Sequence, residues 1–218
     1  MTTMIEADKT QQLRFPIGMF EFGKSYSNEE IQQMTRKIDE FPGKLKRIIT
    51  GLTKEQLDAT YRQDGWTIRQ VIHHLADSHM NAYIRFKLAL TEDMPTIKPY
   101  DPQAWSELED GKNAATSFSF DLLFNLHKRW AILLKSMSEQ DFERVFYHPE
   151  HQMSYELKEI LAMYIWHGEH HYNHILKAKE KFSASKSKAK KVTATKSIAK
   201  KADVKKAVKP EVKKEVKK

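Results

Sequence analysis

Apolar residues recur at helical spacing in four long segments of this chain. The first segment begins at Ser27, whose side chain can form a capping box with Glu30, and its apolar positions continue to Ile49. Pro42 lies inside this segment and predicts a break or a kink, because proline lacks the amide hydrogen that a helix needs. A short helical turn, TKEQLD, is predicted to follow, with Thr53 as its cap.

The second and third segments show the same spacing. Thr67 and Gln70 form a second capping pair, from which a helix is predicted to run toward Leu90. Leucines and one tryptophan predict the third helix from about Ser119 to Met137.

The fourth segment is predicted to be capped by Ser154 and to end near Phe182. A connection without helical spacing, with three prolines, joins the second and third helices over residues 91–116, and a short segment opens at Ser138. Alternating patterns typical of strands are almost absent. We therefore predict an all-α four-helix bundle with one long crossover connection, occupying residues 1–182.

Charge separates this body from the rest of the chain. The 218 residues carry a formal charge of +8, yet residues 183–218 alone hold 14 lysines and 3 acidic residues, so the body is mildly acidic. These last residues contain no aromatic side chain, and we predict a disordered lysine-rich tail. The tail could bind nucleic acid without sequence specificity or could simply aid solubility, and its composition does not decide between the two.

Other classes of protein are excluded by composition. The chain has no cysteine, which excludes disulfides, thiolate metal ligands and a cysteine nucleophile. Neither a signal peptide nor an apolar run long enough to span a bilayer is visible. We expect a cytoplasmic protein with no membrane partner.

Histidines are concentrated in two places. Seven of the ten lie in VIHHLADSHM, residues 71–80, or in WHGEHHYNH, residues 166–174. In the second stretch, His167 and His171 have the i, i+4 spacing that lets two imidazoles bind one metal ion, and they fall on the predicted core face. His170 and His174 have the same spacing but fall to one side of that face.

A metal pair needs a third ligand, and the first stretch offers His73, His74 and His79. Helical periodicity places His79 on the core face, His74 beside it and His73 away from it, so the pattern alone favours His79. The spacings typical of zinc proteases and of carboxylate di-iron bundles are absent. An all-histidine site suits zinc, nickel, copper or iron(II).

Several blocks of the sequence resemble the DinB/YfiT-like metalloenzymes, in particular the YfiT subfamily of metal-dependent hydrolases. These blocks are RFPIG, DGWTIRQVIHHLADSHMNAYIRFKLALTE, KPYDPQAWSEL, LHKRWAILL, FYHPE and YIWHGEHHYNHI. The resemblance implies His74, His167 and His171 as ligands, and so selects His74 over His79. It also implies one zinc or nickel ion per subunit and a homodimer.

Two reactions fit such a site. A metal ion with three neutral ligands and an open position can activate water, which predicts a hydrolase acting on a small electrophilic molecule. It can instead bind a low-molecular-weight thiol as the thiolate, and some relatives in the subfamily are bacillithiol S-transferases. A non-enzymatic protein acting through its basic tail, or a metal store, is the remaining alternative.

Further site residues are predicted from their positions. Asp77 and His148 are candidate catalytic residues, Asp77 as a partner of a ligand histidine. Tyr100, Asp101 and Trp105 lie in the crossover and are candidates for the substrate pocket, although they could equally anchor the loop.

Overall fold

The computed structural model describes the backbone of residues 10–206 and the side chains of residues 10–186. Long helices dominate this part of the chain: α1 Asn28–Ile49, α3 Ile68–Thr91, α6 Thr116–Ser136 and α8 Leu157–Lys206. Four short helices connect them: α2 Lys54–Leu57, α4 Pro102–Ser106, α5 Glu109–Asn113 and α7 Glu139–Glu143. No helix in the described residues is long and apolar enough to cross a membrane.

The predicted helix starts are confirmed where a capping box specifies them. Ser27 and Glu30 cap α1, and Thr67 and Gln70 cap α3, each through reciprocal side-chain and backbone hydrogen bonds. Helix α6 begins at Thr116, three residues before the predicted start, and its first turn has no side-chain cap. Without a capping residue, the sequence offers only apolar spacing, which locates an end poorly.

Helix α1 continues through Pro42, so the predicted break is wrong, while the alternative of a kink stays a prediction. Pro42 is buried, as are Phe41 and Leu45 beside it. Packing of this face therefore outweighs the cost of a proline inside a helix, which is about 3 kcal/mol in an exposed helix.

The predicted cap at Ser154 is also wrong. Ser154 lies in a two-stranded antiparallel hairpin formed by β1 Val145–His148 and β2 Met153–Glu156, and α8 begins one residue after β2 ends. These strands are only four residues each, too short for an alternating pattern to stand out.

The crossover between α3 and α6 is tied to this hairpin. A parallel bridge pairs Thr96 with Tyr147, whose amide donates to the carbonyl oxygen of Pro95 at 2.9 Å and whose carbonyl accepts from Ile97 at 3.0 Å. Helices α4 and α5 then fold against α3. The crossover is thus held at both ends and covers one side of α3.

Among the described residues, the core consists of two apolar clusters. One joins the first half of α1, the second halves of α3 and α6 and the first turns of α8. The other joins the second half of α1, the first halves of α3 and α6 and a later part of α8. It follows that α1 and α8 run in one direction and α3 and α6 in the other, which is why a long crossover must join α3 to α6.

Helix α8 extends to Lys206 and so includes the first part of the predicted tail. Lysine and alanine both favour helix, and the disorder expected of residues 183–218 stays a prediction. Residues 207–218 lie outside the described part of the chain. The chain divides into two units after Lys179, and the proposal that residues 183–218 form a separate functional tail stays a prediction.

Candidate metal centre

A layer of histidines lies between the two apolar clusters. Three of them converge from two helices: His74 from α3, and His167 and His171 from successive turns of α8. Each offers a ring nitrogen, and the three nitrogens lie within 4.8 Å of one another. Nε2 of His74 is 3.2 Å from Nε2 of His167.

This spacing fits a metal ion. Two nitrogens at the usual distance from zinc, in a tetrahedral arrangement, lie about 3.3 Å apart. The spacing between His74 and His167 matches that value, and His171 lies one helical turn from His167 with the ring centroids 4.5 Å apart. The donor set therefore fits one ion with nitrogen ligands and room for a further ligand.

The three imidazoles are held in the neutral form that binds metal. Burial, with a smaller contribution from His170 and His174, lowers the pKa of His74 to about 3. Burial also lowers the pKa of His167 and His171 well below the usual value, again with a contribution from neighbouring histidines. At neutral pH no proton has to leave before a cation can bind.

His79, which periodicity favoured as the third ligand, lies behind His167. Nε2 of His79 is 3.2 Å from Nδ1 of His167, and Nδ1 of His79 is 2.8 Å from Nε2 of His127. Both ring nitrogens of His79 are thus engaged, and it is fully buried. His73, which periodicity placed away from the core face, is buried as well and contacts Ser119 and the carbonyl of Ala114.

His170 and His174 are buried as well, although periodicity placed them outside the core face. The N-terminal segment covers them: Nε2 of His174 is 3.1 Å from the carbonyl oxygen of Arg14, and Phe15 packs against His170. A second group of three nitrogens, from His170, His171 and His174, could also hold a metal ion. It shares His171 with the first group.

A group of polar side chains, called the polar wall, adjoins the histidine layer and consists of Asp77, Ser78, Arg85, Tyr100 and Tyr164. Tyr164 packs on His167 with ring centroids 5.7 Å apart. Burial raises the pKa of Tyr100 to about 12, an interaction with Ser78 opposes this rise, and Tyr164, Arg85 and Asp77 also act on it electrostatically. These side chains therefore lie within reach of one another, beside the candidate metal site.

Two charged groups of this wall lack ordinary partners. Burial raises the pKa of Asp77 to about 6, with a smaller contribution from Asp110. Arg85 makes no ion pair among the described side chains, and its Nε is buried without a hydrogen-bond partner. The wall therefore offers one carboxyl group that titrates near neutrality and one cation.

The remaining predicted site residues divide into two groups. Asp101 caps α4, where its side chain accepts hydrogen bonds from the amides of Gln103 and Ala104, and Trp105 packs on Tyr100 at the surface. His148 is buried on β1, stacks on His151 at 3.8 Å, and has a pKa lowered by burial. Tyr100 and Asp77 belong to the wall, and Arg85 also acts electrostatically on His148. The roles predicted for all five residues stay predictions.

Sequence reasoning missed Ser78, Arg85, His127 and Tyr164. Ser78 and Arg85 lie seven residues apart on α3 and therefore share a face with His74, a spacing that could have revealed them. His127 and Tyr164 occupy core positions of α6 and α8, where an apolar role is the usual expectation.

Comparison with known proteins gives consistent matches over the body of the chain. Residues 37–175 match the model of the DinB superfamily. YfiT of Bacillus subtilis, provisionally named a metal-dependent hydrolase, is 50% identical over 163 residues, which cover 75% of this chain and 92% of YfiT. A protein of Oceanobacillus iheyensis with the same provisional name is 49% identical over 162 residues, covering 74% and 93% of the two chains.

A solved structure of Bacillus subtilis YfiT superimposes with a TM-score of 0.77 at 47% identity, covering 79% of this chain and 98% of that one. It is described as having an unusual four-helix bundle topology.

Proposed function

The chain belongs to the DinB superfamily, and on that premise we propose that it is a metal-dependent hydrolase with His74, His167 and His171 as the ligands of one divalent ion. The observation that supports this most is the convergence of three neutral ring nitrogens within 4.8 Å. Zinc or nickel suits such ligands. When bound, the ion would supply the Lewis acidity that activates water toward an electrophilic substrate.

The residues of the wall would carry out the remaining steps. Asp77, with a pKa raised to about 6, can accept a proton at neutral pH and return it to a leaving group. Tyr100, with a pKa raised to about 12, stays protonated and can donate a hydrogen bond to the substrate. The unpaired Arg85 favours a small substrate that carries an anionic group.

Thiol transfer is a second candidate, because the three proposed ligands are all neutral. Such a site keeps the full positive charge of the ion and favours an anionic ligand such as a thiolate. The chain has no cysteine, so the sulfur would come from a low-molecular-weight thiol, as in bacillithiol S-transferases. In this case Asp77 and Tyr100 would act on the electrophilic substrate and not on the thiol.

Metal content tests the ligand assignment. We expect about one zinc or nickel ion per chain in the purified protein, lost from the His74→Ala, His167→Ala and His171→Ala variants. The His73→Ala variant is the matched control, because His73 is a buried neighbour whose contacts are with Ser119 and Ala114. Metal retained in the three ligand variants, or lost equally in the control, would refute the assignment.

Substrate screening then separates the two reactions. The metal-loaded protein is offered small esters and amides, with and without a carboxylate, and separately a thiol together with an electrophilic haloarene. Turnover of the first group without a thiol supports hydrolysis, whereas turnover that requires the thiol supports transfer. The homodimer expected from the resemblance is measured by light scattering of the same sample.

A further inference from the structure

Hydrogen-bonded imidazoles extend from two of the proposed ligands to main-chain carbonyl groups. We propose that His79, His127 and His174 are positioning residues that fix the tautomers of His167 and His171, so that both ligands present Nε2 to the metal. The inference builds on the proposed metal site, but the tautomers can be measured without metal.

The first chain of hydrogen bonds, called the first relay, runs from the carbonyl group of Ile38 through His127 and His79 to His167. The carbonyl oxygen of Ile38 can only accept, so Nδ1 of His127, 2.6 Å away, must carry a hydrogen. A neutral imidazole has one N–H, and therefore Nε2 of His127 accepts from Nδ1 of His79 at 2.8 Å. Nε2 of His79 then accepts from Nδ1 of His167 at 3.2 Å. His167 is left with a free lone pair on Nε2, the atom that lies 3.2 Å from Nε2 of His74.

The starting carbonyl is available because of Pro42. In a helix the carbonyl of residue 38 accepts from the amide of residue 42, and proline has no amide hydrogen. The carbonyl of Ile38 is therefore free to accept from His127, although it lies inside α1. The proline that the sequence predicts to break the helix instead supplies the end of the relay.

The second relay has the same logic and is shorter. The carbonyl oxygen of Arg14 accepts from Nε2 of His174 at 3.1 Å, so Nδ1 of His174 is an acceptor. Nδ1 of His171, 3.3 Å away, must donate to it, which leaves Nε2 of His171 with its lone pair. Tyr61 stacks on His174 at 3.9 Å and holds the ring in place.

These tautomers require each imidazole of the relays to be neutral, and the surroundings of the rings favour the neutral form. His79, His127 and His174 are each at most 3% exposed. Among the described side chains, no carboxylate is hydrogen-bonded to any of the relay rings, so a buried imidazolium would lack compensation. A relay of this kind orients a ligand in the way that a carboxylate or carbonyl partner does in other metal sites.

A second metal ion at His170, His171 and His174 is the competing explanation for the second cluster. It would require His171 to serve two ions, and Nε2 of His174 is already engaged by the carbonyl of Arg14. The second relay uses both nitrogens of His174 and Nδ1 of His171, and it leaves Nε2 of His171 free. Two metal ions per chain would overturn the second relay.

The tautomers can be read directly by long-range proton–nitrogen NMR of the metal-free, full-length protein with ¹⁵N-labelled histidine. We expect the hydrogen on Nδ1 in His79, His127, His167 and His171, and on Nε2 in His174. A hydrogen on Nε2 of His167 would overturn the first relay, and one on Nε2 of His171 would overturn the second. Because the sample contains no metal, this result is independent of the proposed function.

Variants of His127 separate positioning from packing. His127→Gln keeps a donor and an acceptor, whereas His127→Phe keeps the ring and removes both. We expect His127→Phe to weaken metal binding about 10–100-fold in a chelator competition assay, with His127→Gln recovering most of the loss. If packing alone matters, the order reverses, since phenylalanine fills the buried position better. His73→Phe is the control and should leave metal affinity unchanged.

Discussion

Gly168 lies between two histidines of α8, at the point where this helix passes Phe41 of α1. A Cβ atom at Gly168 would lie 3.0–3.3 Å from three atoms of the Phe41 ring, closer than ordinary van der Waals contact. Phe41 in turn stacks on His79 and His127, with ring centroids 5.9 and 5.7 Å away. The ring therefore has little room to retreat, and we expect Gly168→Ala to strain both the helix packing and the first relay.

The magnitude follows from two opposing terms. Replacing glycine by alanine inside a helix stabilises it by about 0.8–1.0 kcal/mol, whereas overpacking a tight contact costs about 1–3 kcal/mol. Gly43 provides the control, because it lies inside α1 and a Cβ there would meet only Arg47, at 3.9 Å. We expect Gly43→Ala to stabilise the protein by about 1 kcal/mol and Gly168→Ala to be neutral or to destabilise it by up to about 2 kcal/mol.

The assay is urea or thermal unfolding of the metal-free protein, followed by metal titration of each variant. For a chain of this size, about 1 kcal/mol corresponds to a shift of about 2–4 °C in Tm, so the two variants should be separable. Only Gly168→Ala should also weaken metal binding. If Gly168→Ala raised Tm as much as Gly43→Ala does, the close packing of Phe41 against α8 would be refuted.

The other predictions concern pH, the polar wall and the tail. In the metal-free protein, burial lowers the pKa of His74 to about 3 and of His127 to about 4. The unfolded chain, with a histidine pKa of about 6.5, therefore binds protons first as pH falls. The free energy of unfolding should then decrease by about 1.4 kcal/mol per histidine per pH unit between about pH 6.5 and these values. Asp77, with a pKa raised to about 6, acts in the opposite sense, because its protonation stabilises the folded protein as pH falls. A urea midpoint that rises between pH 7 and pH 5 would contradict the histidine argument. Arg85→Gln should raise KM about tenfold or more for a carboxylate-bearing substrate and leave an uncharged analogue and the metal content unaffected. Deletion of residues 183–218 should abolish any salt-sensitive DNA binding measured by fluorescence anisotropy, while metal loss on deletion would show that the tail is not separate from the body.

The sequence predicts the helices well where local chemistry defines their ends. Capping boxes at Ser27 and Thr67 satisfy amides within three residues, so the relevant interaction is visible in the sequence itself. The hairpin ahead of α8 was missed because each strand has only four residues, and the bridge from Thr96 to Tyr147 joins segments that are distant in the chain. Burial of Pro42 is likewise a tertiary fact that outweighs a local preference.

The candidate site could be predicted in part for the same reason. The spacing of His167 and His171 brings both to one helix face without reference to the rest of the fold. Periodicity favours His79 over His74 because it does not show what faces each residue from α6 and α8. The relay depends on His127 and on a main-chain carbonyl group, and a sequence pattern does not show which carbonyl lacks a donor.

The histidine layer also divides the hydrophobic core into two apolar halves, one containing Ile38 and Trp130 and the other Leu45 and Ile175. Such halves can act as separate cooperative units that open at different free energies. An ion held between α3 and α8 would join them and stabilise the protein in proportion to its occupancy. Amide hydrogen exchange at Ile38 and Ile175, on either side of the layer, would then slow together when the metal binds, so the site would report its state throughout the bundle.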